Sequence, residues 1–191
     1  MKNLISNSVT DHALMKDVLS DLQIRIENVI LAFHQLPKVK QNVCQAIRFI
    51  DSLFNSFQKG FRMQNVTFLL LKAKLSDHLL YYLVNDLSIT KESDPHTLII
   101  TDYGTYVEEQ NSVITLSQGI LNMNSPSSVT LSKVIVDGNR SLTEELQVLA
   151  QFMKKLFSTD KRITIELISL LEGKRIMYHS HKPLSITPLK I

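Results

Sequence analysis

Seven apolar residues, Met15, Leu19, Leu22, Ile26, Val29, Phe33 and Leu36, recur at alternating intervals of four and three. That spacing lays one apolar stripe along a helix. Pro37 follows, and proline removes an amide donor and disfavours helical geometry at the residue before it. A second run, Val39, Val43, Ala46, Ile50, Leu53 and Phe57, then resumes the rhythm. Two helices joined by so short a connection are antiparallel neighbours. The first is expected to be capped by Thr10 or Asp11, and the second to stop at Gly60.

Ile24, Leu31, Ile47, Phe54 and Phe61 widen these stripes beyond what one mutual seam consumes. Something else must cover this surplus: the third helix, a second copy of the chain or another protein. The interface is expected on Met15, Leu19, Leu22, Ile26, Val29, Phe33, Ile47, Ile50, Phe54 and Phe57. Its partner would be another protein chain, a second copy included.

A third helical region covers residues 62–87, with a break expected near Ser76-Asp77. It is apolar on several faces, as a central helix would be. Lys72, Lys74, Asp77, His78 and Asp86 interrupt it, which argues against a transmembrane segment. The start of the chain carries no long apolar block of the kind a secretory signal needs. Cys44 is the only cysteine, so no intramolecular disulfide can form, and an intracellular, cytoplasmic location is the expectation. Cys44 itself reads as a small buried residue of the second helix.

After Leu87 the apolar period changes from helical to two. Residues 88–92, 97–102, 105–109, 113–117 and 129–136 read as strands, with turns at Asp94-Pro95, Tyr103-Gly104 and Asp137-Gly138 and a loop over 122–128. Ser141 to Glu144 opens another helix with capping-box chemistry. A hairpin over 162–171 and 175–181 turns at Glu172-Gly173-Lys174. Pro183 and Pro188 are expected to keep the last residues out of a regular ladder. The fold class is therefore α+β: an N-terminal antiparallel helical hairpin plus a third helix over 1–87, then a mostly antiparallel β-sheet with one additional helix over 88–191.

The stretch from Leu79 to Tyr106 places Asn85 at the end of an apolar helix and Asp102-Tyr103-Gly104 at the end of a strand. It resembles the ATP-binding fold of histidine kinases, and the preceding hairpin resembles their dimerisation hairpin. The resemblance implies that Asn85 would hold magnesium and that Asp102, with Gly104, would lie at the adenine. Tyr106 stands where that family has its second glycine, so the implied site is a degenerate one.

A basic group, Lys154, Lys155, Lys161 and Arg162, surrounds the end of the last helix. Clustered cations can hold phosphates, which makes nucleic acid an alternative partner. His179 and His181 would share a strand face, but zinc normally takes three or four protein ligands. No P-loop, no Gly-x-Gly-x-x-Gly and no Gly-x-Ser-x-Gly elbow occurs. No cofactor or metal is expected. The leading functional expectation is a non-catalytic adaptor, assembly subunit or regulator that binds protein through the hairpin. The alternatives are a degenerate histidine-kinase-like phosphotransfer module and a nucleic-acid-binding accessory protein.

Overall fold

The computed structural model describes residues 3–58, 65–87, 97–107, 111–136, 142–157, 161–180 and 182–189, with side chains described from Lys16 onward in the first helix. Among them are four α-helices and a six-stranded sheet, which is the α+β arrangement anticipated above. Helix α1 spans Asn3–Gln35. It starts earlier than expected because no glycine or proline precedes Pro37, so Thr10 and Asp11 lie within it. A 3-10 turn at Lys38–Lys40 follows Pro37. Helix α2 then spans Val43–Gln58, capped by Asn42, whose Oδ1 accepts from the Gln45 amide at 3.1 Å.

Helix α3 (Asn65–Tyr81) runs unbroken through Ser76-Asp77 and ends in a π-helical turn, Tyr82–Leu87. The strand expected over 88–92, the Gly60 stop and the Asp137-Gly138 turn lie outside the described residues.

The strands are β1 (Thr97–Val107), β2 (Ser112–Ser125), β3 (Ser128–Ile135), β4 (Arg162–Ser169), β5 (Lys174–His179) and β6 (Lys182–Pro188). They neighbour one another in chain order. Every pairing is antiparallel except β3 with β4, which are parallel and joined by helix α4 (Leu142–Leu156). A parallel pair needs a crossover of this length.

Three readings of the sequence are corrected here. Tyr103-Gly104 is no turn, because β1 continues through it with Gly104 opposite Thr115. Residues 122–125 finish β2, leaving only Pro126-Ser127 as the reversal into β3. The proline-bearing tail forms β6, and an edge strand tolerates the missing donors. The Glu172-Gly173-Lys174 reversal is present, with Gly173 at φ +62°.

The β1–β2 ribbon changes face part-way along. Leu116, Gly119 and Leu121 all turn toward the core under α4, whereas Ile120 turns toward the helical bundle. The slip falls at Ser117-Gln118. On β1 the same slip separates Ile100 from Tyr103, both on the α4 side, and Asp102 between them sits at φ +49°. Aspartate is one of the few residues that tolerates this left-handed geometry.

Beyond the slip the ribbon bends over α4, with Tyr103 edge-on to Phe152 at 5.7 Å. Among the described pairs β2 meets β3 only from Ile120 onward. The Gln23 side-chain amide of α1 takes over there, donating to the Val134 carbonyl at 2.9 Å and accepting from the Val136 amide at 2.7 Å. A glutamine thus supplies the donor and acceptor a neighbouring strand would have offered.

Two cores result. One joins α1, α2, α3 and the π turn to Ile120, Val134, Val136, Ile168 and Leu170 of the sheet side. The other joins Leu146, Leu149, Phe152 and Met153 of α4 to the opposite face.

Candidate functional site

The stripe expected to meet a partner is instead the core of the chain. Leu22, Ile26, Val29, Phe33, Ile50, Phe54 and Phe57 are all buried, and Leu19 packs against them half-buried. Phe68 of α3 stacks on Phe57 at 6.1 Å and meets Phe54 edge-on at 6.4 Å. The buried part of the hairpin's apolar surface is therefore covered by α3 and the sheet, while Ile24, Val39, Val43 and Ile47 remain exposed. Periodicity identifies the apolar side of each helix correctly, but what covers that side is set by tertiary packing. Of the residues expected at the interface, Ile47 faces outward, and the Met15 side chain lies outside the described residues. Cys44, expected to be buried, is exposed on the first turn of α2.

A further run of outward apolar surface lies on another helix. On α3, Val66, Leu69 and Leu70 are 68%, 60% and 68% exposed, and exposed Ala73 continues the line. Positions i, i+3, i+4 and i+7 fall on one helix face. Its opposite face carries the buried Phe68, Leu75 and Leu79. An apolar composition on several sides is legible in the sequence and suggests a central helix. The structure shows a helix buried on one side only. Lys74 and Asp77 close the exposed stripe, and Lys72 lies over the Phe54 ring at 5.9 Å.

Asn85 is exposed in the π turn, and Asp102 and Gly104 are exposed in β1. The unbroken course of β1 leaves no loop after Asp102 to curve round a nucleotide. A cleft of about 500 Å³ is lined by Arg48, Asp51, Ser52, Asn55 and Ser56 of α2. A smaller one of about 210 Å³ is lined by Tyr81, Arg175, Thr187, Pro188 and Leu189. Neither includes Asn85, Asp102 or Gly104.

Of the basic group, Lys154, Lys155 and Arg162 are exposed, and Lys161 lies over the Phe157 ring at 5.1 Å. The neighbouring cations are engaged: Arg175 pairs with Glu166 at 2.9 Å, and Lys174 with Glu172 at 3.4 Å. His179 Nδ1 is 3.1 Å from the Thr164 hydroxyl, and His181 lies outside the described residues. Among the described residues no three His, Cys, Asp or Glu side chains converge as a metal site would require, and no helix is long and apolar enough to cross a membrane.

No protein-family model matches this chain, and neither a characterised protein nor a solved structure shows significant similarity to it.

Proposed function

We propose that the chain is a non-catalytic protein–protein interaction protein, an adaptor or assembly subunit, and that the outward face of α3 is its docking surface. The observation that supports this reading is the stripe of Val66, Leu69, Leu70 and Ala73 standing in solvent on a helix otherwise seated in the core. Covering the three large side chains would contribute about 1–2 kcal/mol each, before the cost of association. A partner suited to this face would bring an apolar helix or groove, with acidic groups placed to meet Lys72 and Lys74.

The test compares the wild-type chain with a Leu69→Glu/Leu70→Glu variant and a Lys154→Glu/Lys155→Glu variant in affinity capture followed by mass spectrometry. Both pairs are solvent-facing, so the variants should melt within about 0.5 kcal/mol of the wild type. The reading expects a protein partner to be lost with the α3 variant and kept with the basic-group variant. Unchanged capture by the α3 variant would sink it. Salt-sensitive nucleic acid, released by the Lys154/Lys155 change, would support the accessory-protein alternative instead.

A further inference from the structure

The two edges of the sheet are unlike. Strand β6 is short, begins with Lys182-Pro183 and ends at Pro188, and proline and lysine are the usual means of discouraging further pairing. Strand β1 is eleven residues long and begins Thr97-Leu98-Ile99-Ile100-Thr101, with no proline and no charge in that segment. Among the described residues its outer edge pairs with no other strand. Every second residue of such an edge turns a free N–H and C=O outward.

We propose that β1 is a homodimerisation edge, pairing antiparallel with β1 of a second copy over residues 97–101. Three features select this occupant and this register. A two-fold axis relating antiparallel edge strands stands normal to the sheet, so each face continues into the same face of the second copy. Residues opposite one another must therefore share a face, which restricts the axis to pass beside a residue rather than between two. With the axis beside Ile99 the whole segment pairs before the left-handed backbone at Asp102 ends its regular pleat.

The segment is then nearly its own complement. Thr97 faces Thr101 of the second copy, Ile99 faces Ile99, and Leu98 faces Ile100. Thr–Thr and aliphatic cross-strand pairs are among the favourable ones. Leu98, 51% exposed on the α4 side, gains the cover it lacks in the single chain. The contact is small beside a standard interface of roughly 1,600 Å², so the dimer is a weak, concentration-dependent one. Both α4 helices lie on one side of the joined sheet and both bundles on the other. This pairing is independent of the α3 reading, since Leu98 and the α3 stripe belong to different elements.

The deciding experiment uses charge exchange at position 98 in the full chain. In the proposed register the two Leu98 positions are diagonal neighbours about 7–8 Å apart on one face. Leu98→Lys and Leu98→Glu are prepared separately and mixed. Sedimentation equilibrium between about 5 and 500 µM should show a monomer–dimer equilibrium for wild type, weakened about tenfold in each variant alone. An equal mixture should recover association several-fold over either variant, because only a two-fold pairing brings the introduced ammonium of one variant beside the introduced carboxylate of the other.

Thermal melts at low concentration guard against misfolding, since half-exposed Leu98 should tolerate either charge. A wild-type chain that stays monomeric over this range overturns the proposal. So does a dimer indifferent to both substitutions, which would place the contact elsewhere, as on α3. A mixture no tighter than its components overturns the register and with it the pairing.

Discussion

The bundle side of the sheet combines apolar packing with aimed polar ties, whereas the α4 side is nearly dry. On the bundle side Gln23 bonds to the β3 backbone, Glu27 accepts from Ser117 at 2.8 Å, and His78 Nδ1 donates to the Leu170 carbonyl. Within the sheet on that side Ser132 and Arg175 both hold Glu166. Among the described residues the ion pair across the α4 side is Lys133–Glu145 at 2.8 Å. Connectivity accounts for the difference. Helix α4 is carried between two adjacent strands, β3 and β4, so its placement is largely set by the crossover. The bundle comes from a distant stretch of chain, and apolar contact alone is non-directional. Directional hydrogen bonds can fix its angle and register on the sheet.

The comparison is tested most forcefully by emptying each core in turn. Phe33 and Phe152 are both fully buried, one on each side. Each replacement by alanine should cost about 3–5 kcal/mol. Because the sheet contributes to both cores, far-UV circular dichroism should show one unfolding transition, shifted down in either variant. A Phe152→Ala chain whose helical signal still melts at the wild-type temperature would show instead that the α4 side unfolds separately.

A smaller contrast comes from two glycines. Gly173 combines φ +62° with a would-be Cβ only 2.6 Å from the His78 ring. Alanine there meets both a backbone penalty and a clash that would dislodge the His78–Leu170 bond, for a loss of about 2–4 kcal/mol. At Gly119 the backbone is ordinary, and the added Cβ meets the end of the Leu131 side chain at 2.8 Å. A leucine methyl can partly give way, so Gly119→Ala should cost less, about 1–2 kcal/mol. Denaturant titration of both variants checks the order. In a His78→Ala background the Gly173→Ala cost should fall to its backbone part, and a fully additive pair would show that the ring plays no role.

What the sequence disclosed and what it withheld divide along the same physical line. The stripes on α1, α2 and α4, the switch of period after Leu87 and the Gly173 reversal are local properties, written in spacing and turn chemistry. The covering of the hairpin is not local. Leu22, Phe33 and Phe57 look the same in sequence whether a partner or the chain's own sheet seals them. Tyr103-Gly104 carries a turn signature, yet cross-strand pairing to Leu116 and Thr115 draws it into β1. Pro183 and Pro188 argue against a strand only where both edges are paired, and among the described residues β6 pairs on one edge alone. Nothing around Gln23 distinguishes it from an ordinary surface glutamine, because its partners lie more than a hundred residues away. The exposed stripe on α3 is present as excess apolar content, but composition does not say which side of the helix remains uncovered.

The finest distinction is between a directional tie and an ion pair. Gln23→Ala leaves the Val134 carbonyl and the Val136 amide without the partner they have here, at a cost of about 1–3 kcal/mol. Gln23→Glu should recover only part of this, since a carboxylate accepts from Val136 but cannot donate to Val134 and stands close to Glu27. On the α4 side Lys133 and Glu145 are largely shielded, with side chains 12% and 16% exposed. Replacing one partner strands the other, whereas replacing both with apolar residues of similar size should be nearly neutral. A Lys133→Met/Glu145→Leu chain is therefore expected within about 1 kcal/mol of wild type, with each single change costing more than the double. If the double variant lost as much stability as Gln23→Ala, the α4 side would also depend on a polar tie. Connectivity could then no longer explain why the two sides of the sheet are built differently.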